Sequence, residues 1–243
     1  MRLFGLIGFP LLHSFSKKYF TEKFEREGLP DCRFENFPIA SVEDINELLD
    51  SHPQLIGLSV TIPYKEKIIS FLDDASETVK KIKACNCIKI IRGKMAGYNT
   101  DVLGFENSFK KVLTPDLRKA IILGTGGASK AVSYVLEKLD ISYRHVSRTP
   151  ALRNLSYEQV TSEVIADTEI IINTTPLGMY PDITEAPNIP YGALNEHHLL
   201  FDLVYNPSKT LFLKKGEEKG AKIKNGLEML EILAEENWKI WNT

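Results

Sequence analysis

Apolar positions along the chain follow two rhythms. Short runs rich in β-branched residues alternate with longer stretches whose apolar positions recur at helical spacing, which predicts an α/β chain with mainly parallel sheets. The pattern places strands at 3–7, 33–37, 56–61, 87–91, 120–123, 143–147, 170–173, 199–203 and 222–224. Helices are expected at 17–27, 42–50, 65–72, 77–84, 129–139, 209–219 and 227–241. Ser41-Val42-Glu43-Asp44 has the form of a capping box, and Arg92-Gly93-Lys94 reads as a hairpin turn between two short strands.

The segment 110–119, with Thr114-Pro115-Asp116 at its centre, breaks the periodicity just before a new strand, so a domain boundary is expected between Asp101 and that strand. The opening residues are apolar, but Gly8, Pro10 and His13 interrupt the run at once. They read as a buried strand rather than a leader. No stretch approaches the roughly eighteen apolar residues of a membrane span.

Composition narrows the class. A chain of 243 residues, 43% hydrophobic and 26% charged, has the make-up of a globular protein with a sizeable core, which excludes disordered and fibrous readings. Thirty Lys and Arg against 32 Asp and Glu leave a net charge of −2, with no basic excess to attract nucleic acid or anionic lipid. Of the three cysteines, Cys85 and Cys87 are one residue apart, which suits neither a disulfide framework nor a zinc knuckle. They read as packing on alternate strand faces, no metal set is expected, and a reducing cytoplasm fits best.

Ala120-Ile121-Ile122-Leu123-Gly124-Thr125-Gly126-Gly127-Ala128-Ser129 sets a strand, a glycine cluster and a helix in immediate succession. Gly124 allows the tight turn and Gly126 lets backbone approach a pyrophosphate. The helix N-terminus offers unpaired N–H groups and a positive dipole end. The next strand ends in Ser147-Arg148-Thr149, where an NAD-selective fold would offer a carboxylate to the ribose. Arg148, with Arg153, suits a 2′-phosphate instead, so NADP(H) is the expected cofactor; a solvated surface is the plainer alternative for both arginines.

Upstream, four clusters hold polar residues among Gly and Pro where strands end or helices begin: 8–16, 59–65, 84–87 and 97–101. Beyond the carboxyl ends of an open sheet they can converge on one crevice, and their hydroxyls, amides, one ammonium and one carboxylate suit a small polyhydroxylated acid. Taken alone, Lys65 reads as a solvated first-turn helix lysine and Asp101 as a helix N-cap.

These segments together resemble the shikimate dehydrogenase family nearly end to end. The resemblance rests on His13-Ser14-Phe15-Ser16, Val60-Thr61-Ile62-Pro63-Tyr64-Lys65, Asn99-Thr100-Asp101, Gly124-Thr125-Gly126-Gly127-Ala128, Ser147-Arg148-Thr149, Asn173-Thr174-Thr175-Pro176-Leu177-Gly178-Met179 and Asp202-Leu203-Val204-Tyr205-Asn206-Pro207. It implies reversible, NADPH-dependent reduction of 3-dehydroshikimate to shikimate, in chorismate and aromatic amino acid biosynthesis, by a cytoplasmic monomer or homodimer. It also implies a substrate domain of residues 1–101 plus 225–243 and a Rossmann-like NADP domain of residues 102–224.

By the same resemblance Lys65 and Asp101 form the catalytic pair, and Ser14, Ser16, Thr61, Asn86, Asn99 and Tyr205 hold the substrate. Gly124, Gly126, Gly127, Ala128, Ser147, Arg148, Thr149, Arg153, Thr174, Met179, Val204 and Gly226 form the cofactor surface. Hydride arriving at a ketone carbon leaves charge on oxygen, which a positioned ammonium stabilises and protonates; which of Lys65 and Asp101 is the formal acid stays open.

Three positions depart from the family pattern. Ser59 stands where Asn commonly precedes Val-Thr, Ser147 where Asn precedes Arg-Thr, and Leu233 where a substrate-contacting Gln is usual. An apolar side chain at 233 forfeits a hydrogen bond worth about 0.5–1.5 kcal/mol, unless a shifted helix register brings Glu231 there instead. Leu233 leaves room for a preference for quinate or another cyclic hydroxy acid. A non-catalytic NADPH-binding or shikimate-binding paralogue is the third reading, against which the presence of both Lys65 and Asp101 argues.

Overall fold

A computed structural model of the chain describes residues 1–11, 15–149 and 154–243. It separates into two compact units, one of Met1–Thr100 with Leu233–Thr243 and one of Asp101–Ile232. Asp101 and residues 225–232, which the resemblance groups with the first domain, fall in the second unit. Both units are α/β, and the expected strands recur within a residue or so of their predicted ends.

The first unit contains β1 (Arg2–Ile7), α1 (Phe15–Arg26), β2 (Cys32–Phe37), α2 (Ile45–Ser51), β3 (Leu55–Val60), β4 (Asp74–Ala75), α3 (Glu77–Ile82), β5 (Cys87–Ile91) and β6 (Lys94–Tyr98). They make one sheet in the order β2-β1-β3-β5-β6-β4, in which β3-β5 and β5-β6 are antiparallel and the other pairings parallel. The hairpin expected at Arg92-Gly93-Lys94 joins β5 to β6, with Arg92 and Gly93 at positive φ. The predicted capping box of Ser41 and Asp44 is present, and in it the Ser41 N–H donates to the Asp44 carboxylate at 3.0 Å.

The expected helix at 65–72 is instead a 3-10 turn over Lys67–Phe71. The Lys65 carbonyl accepts the Cys85 N–H at 2.7 Å, so it is spent on a neighbouring segment rather than on a helical ladder. Lys65 is therefore not a first-turn helix residue.

The tail helix α8 (Leu227–Asn242) completes the first unit through its second half. Its buried positions Leu233, Ala234, Asn237 and Trp241 follow helical spacing. The Trp241 ring packs 5.1 Å from Phe4 and 5.3 Å from Phe20, and its Nε1 donates to the Ile88 carbonyl at 3.0 Å. A Cβ at Gly57 would collide with this ring, so the strand needs glycine there. Buried Lys23 of α1 adds a polar tie, reaching both carboxylate oxygens of Glu235 at 2.9 and 3.0 Å.

The second unit runs α4 (Asp101–Lys110), β7 (Lys119–Leu123), α5 (Gly127–Lys138), β8 (Ser142–Val146), α6 (Ser162–Ala166), β9 (Ile170–Asn173), β10 (Leu199–Asp202), α7 (Leu211–Glu217) and β11 (Lys222–Lys224) into the first half of α8. Its sheet, β11-β10-β9-β7-β8, is parallel throughout. Strand order reverses between β7 and β9, the switch point beyond which open α/β sheets bind ligands. Helix α4 is absent from the predicted helices, although the plain reading of Asp101 as an N-cap implied one there; Phe105 and Phe109 hold it in the core, 5.1 and 6.0 Å from Phe201.

Candidate active site

In the first unit the predicted polar residues sit on backbone segments laced together at one edge of the sheet. Thr61 N–H donates to the Ile7 carbonyl at 2.9 Å and Phe9 N–H to Ile62 at 3.1 Å, joining the segments after β1 and β3. Val60 N–H donates to the Asn86 carbonyl at 2.8 Å, and Asn86 N–H to Tyr98 at 3.1 Å. The Asn99 amide donates to the Ala84 carbonyl at 3.0 Å. With the Lys65–Cys85 bond, these contacts gather Thr61, Lys65, Asn86 and Asn99 around the start of β5. Antiparallel β5 supplies Asn86 from its amino-terminal side, so this edge is not formed by carboxyl ends alone.

Ser16 is half-buried in the first turn of α1. Ser14 lies outside the described residues, as does Arg153. Cys85 and Cys87 are buried and unbridged, and burial pushes the Cys87 thiol up, so packing is their role. Among the described residues no group of three or more His, Cys, Asp or Glu side chains gathers as metal ligands, and no helix is long and apolar enough to cross a membrane.

Asn86 is not an isolated amide. Its Oδ1 accepts the Thr100 N–H at 2.7 Å and its Nδ2 donates to Thr100 Oγ1 at 3.0 Å. Thr100 Oγ1 in turn donates to Asn237 Oδ1 at 2.7 Å, and Asn237 Nδ2 donates to Ser59 Oγ at 3.1 Å. No motif in the sequence pointed to Asn237. Its one signal was an amide in the apolar stripe of a helix.

In the second unit Asp101 opens α4 and is 2% exposed, inside the helix rather than at its cap. Gly124 follows β7 with φ +111°, and a Cβ there would stand 2.7 Å from Thr174 Oγ1. Thr174 itself bonds back to the Leu123 carbonyl through N–H at 3.0 Å and Oγ1 at 2.7 Å. Gly124 is thus required by conformation and by packing. Gly126 differs: its φ of −80° and ψ of −175° are open to any residue, and a Cβ there would meet nothing within 4 Å. The space it leaves lies before the first turn of α5, where Gly127 and Ala128 begin the helix, so the residues present fit a pyrophosphate.

His145 supports this loop from beneath. The Gly124 carbonyl can only accept, so His145 Nδ1 carries the proton of their 3.0 Å bond, while Nε2 lies 2.9 Å from Ser133 Oγ. Beyond β8, Ser147 Oγ accepts the Thr149 N–H at 3.2 Å, and Arg148 is exposed with no carboxylate among residues 147–149. That arrangement suits a 2′-phosphate.

Asn173, Asp202 and Thr210 form a fully buried network at the carboxyl ends of β9 and β10. Asp202 Oδ1 accepts from Asn173 Nδ2 and from Val204 N–H, each at 3.0 Å, and Oδ2 accepts from Thr210 Oγ1 at 2.6 Å. Asn173 Oδ1 accepts Thr175 N–H at 3.0 Å. The network ties down the segments carrying Thr174, Val204 and Tyr205. Burial outweighs these three hydrogen bonds and raises the Asp202 pKa to about 7. Gly226 has its own structural reason, since a Cβ would collide with the Leu203 carbonyl. Met179 is exposed, Tyr205 half-buried and Val204 buried.

Comparison with known proteins matches residues 6–88 to the family described as the shikimate dehydrogenase substrate binding domain. A shikimate dehydrogenase (NADP(+)) of Staphylococcus aureus strain MRSA252 is 38% identical over 251 residues, covering 98% of this chain and 91% of its own. The crystal structure of shikimate dehydrogenase from Aquifex aeolicus superposes with a TM-score of 0.87 at 33% identity, covering 100% of this chain and 92% of that one. The shikimate 5-dehydrogenase of Thermus thermophilus, solved in complex with NADP(H) and shikimate, gives 0.85 at 28% identity over 99% and 93%.

Asp202 yields a stability prediction. With an ordinary carboxyl value of 3.8 when unfolded and about 7 when folded, the native state holds a proton between these values that the unfolded chain has lost. Its contribution is therefore present at low pH and lost as pH rises through this window, at no more than about 1.4 kcal/mol per pH unit. Asp202→Asn cannot titrate, so urea unfolding at pH 5 and pH 8 should show wild type losing ground to the variant at the higher pH. A stability difference that stays constant would contradict the assignment.

Proposed function

The chain belongs to the shikimate dehydrogenase family, and we propose that it catalyses the reversible, NADPH-dependent reduction of 3-dehydroshikimate to shikimate, a step of chorismate and aromatic amino acid biosynthesis. The observation that carries this reading is the coverage of both units by NADP(+)-dependent relatives, not of the glycine loop alone. Residues 1–101 with the tail serve the substrate, and the parallel sheet of the second unit serves the cofactor. The buried cysteines of the first unit, none of them bridged, support a cytoplasmic setting.

When bound, NADPH supplies the hydride. The chain's own residues do the rest. The Lys65 ammonium stabilises the charge that develops on the ketone oxygen and delivers its proton, and Asp101 orients or relays for it. Ser14, Ser16, Thr61, Asn86, Asn99 and Tyr205 hold the carboxylate and hydroxyls of the ring. Gly124, Gly126, Gly127 and Ala128 take the pyrophosphate, Ser147, Arg148, Thr149 and Arg153 the 2′-phosphate, and Thr174, Met179, Val204 and Gly226 the nicotinamide side.

One observation favours a shifted substrate. Leu233, where the family usually has Gln, is 8% exposed and apolar. Quinate is the rival that this departure motivates. Initial rates with shikimate and quinate, each with NADP+ and NAD+, test the assignment: shikimate with NADP+ should be fastest, and a clear preference for quinate or NAD+ would overturn it.

Lys65→Ala, folded by circular dichroism, should lose roughly 10²- to 10⁴-fold in kcat, the range for removing a general acid. Wild-type turnover would remove Lys65 from the mechanism. Gly126→Ala should keep the wild-type melting temperature, because its Cβ meets open space, yet bind NADP+ at least about tenfold more weakly by fluorescence titration, because that space is the ligand's. Unchanged affinity would show that the loop does not seat the pyrophosphate.

A further inference from the structure

The buried stripe of α8 contains one side chain that apolar packing does not explain. Asn237 is 1% exposed, on the same helix face as Leu233, Ala234 and Trp241. An amide placed there costs stability unless its polar atoms are bonded, and an apolar residue of similar size would pack without that cost. Both ends of the amide are engaged. The oxygen accepts from Thr100 Oγ1 at 2.7 Å and the nitrogen donates to Ser59 Oγ at 3.1 Å.

These two partners lie at different strand ends. Ser59 is in β3, next to its last residue, and Thr100 follows β6 by two positions and directly precedes Asp101. Thr100 holds the Asn86 amide through both its N–H and its hydroxyl, at 2.7 and 3.0 Å. Because the Thr100 proton goes to Asn237, its oxygen lone pair is turned towards Asn86 Nδ2. That leaves the second Nδ2 hydrogen of Asn86 with a set direction. Ser59 is also the position where family members commonly carry Asn; here its shorter hydroxyl accepts the amide that the tail helix supplies, at 3.1 Å.

We propose that Asn237 is a positioning residue, which orients Asn86 for a substrate hydroxyl by acting through Thr100 and which replaces the longer side chain missing at Ser59. The inference rests on the shikimate reading above and deepens it. Asn237 does not touch substrate; it removes rotational freedom from a group that does, so its loss weakens substrate binding and leaves the cofactor site untouched.

The experiment compares KM for shikimate and for NADP+ in wild type, Asn237→Ala, Thr100→Val, the double variant of these two, and Ser59→Asn combined with Asn237→Ala. Asn237→Ala should raise the shikimate KM roughly tenfold, the scale of one lost hydrogen bond, with the NADP+ KM within about twofold of wild type. Thr100→Val should do the same, and the double variant should be no worse than either single, because both break one path. Ser59→Asn should restore the shikimate KM in the Asn237→Ala background. Should Asn237→Ala fail to fold, Thr100→Val and the Ser59→Asn, Asn237→Ala pair decide the matter. An unchanged shikimate KM, equal rises in both KM values, or additive effects of Asn237→Ala and Thr100→Val would each overturn the proposal. Wild type that binds NADP+ but does not oxidise shikimate would overturn the underlying reading instead.

Discussion

The seating of one tryptophan is the contact on which the first unit depends. Trp241 comes from the far end of the chain, lies flat against the bare backbone of Gly57 in β3, and donates to the Ile88 carbonyl at 3.0 Å in the neighbouring strand. A strand in mid-sheet gives up side-chain packing when it carries glycine, and here the indole fills that place. The contact joins residues 153 apart in sequence, so the face of β1 and β3 that carries Phe4 cannot be closed until the tail arrives. Lys23 and Glu235 add a second tie between α1 and the tail, at 2.9 Å. The chain's division into Met1–Thr100 with Leu233–Thr243 follows from these contacts.

A different constraint governs the second unit, where two glycines two residues apart are glycine for different reasons. At Gly124 the protein itself forbids a side chain, through φ of +111° and the nearness of Thr174. At Gly126 it forbids nothing. Rigidity and open space are thus set side by side: His145 and Thr174 fix the first half of the turn so that the opening before α5 keeps its shape. Preorganisation of this kind lowers the ordering cost of binding, which is where much of a ligand's affinity is otherwise lost.

Strands and the glycine loop were legible in the sequence because both signals are local. Runs such as Ile170-Ile171-Ile172 are β-branched, and a glycine cluster between strand and helix has one common use. Helix α4 was not legible, since Gly104 and Asn107 are weak helix formers and what holds it is burial of Phe105 and Phe109 against Phe201. Lys65 was misplaced on a helix for the converse reason: its local pattern is helical, but its carbonyl belongs to Cys85. Asn237 and His145 escaped notice, and Asp202 was noted only as part of a family motif, because nothing in their sequence neighbourhoods tells a satisfied buried polar group from a surface one. Their partners lie 137, 29 and 21 residues away, and only the folded chain brings them together.

Leu233 and Asn237 stand one helical turn apart on the buried face of α8, and on the proposed reading both would bear on specificity. A site that hydrogen-bonds a substrate hydroxyl rejects analogues lacking it, because the site's own polar group is then left unpaired, whereas an apolar surface discriminates weakly against a missing or added hydroxyl. If position 233 faces the substrate as the resemblance implies, leucine there would contribute no such selection. The amide at 237 is turned inward, where it can act on selectivity only through the stiffness it gives Thr100 and Asn86. On the proposed reading of the site, the distinction between cyclic hydroxy acids would then fall on the direction of the Asn86 amide together with the other residues proposed to hold the ring. On the same reading, a tail helix that orders those groups would substitute for one that touched the substrate itself.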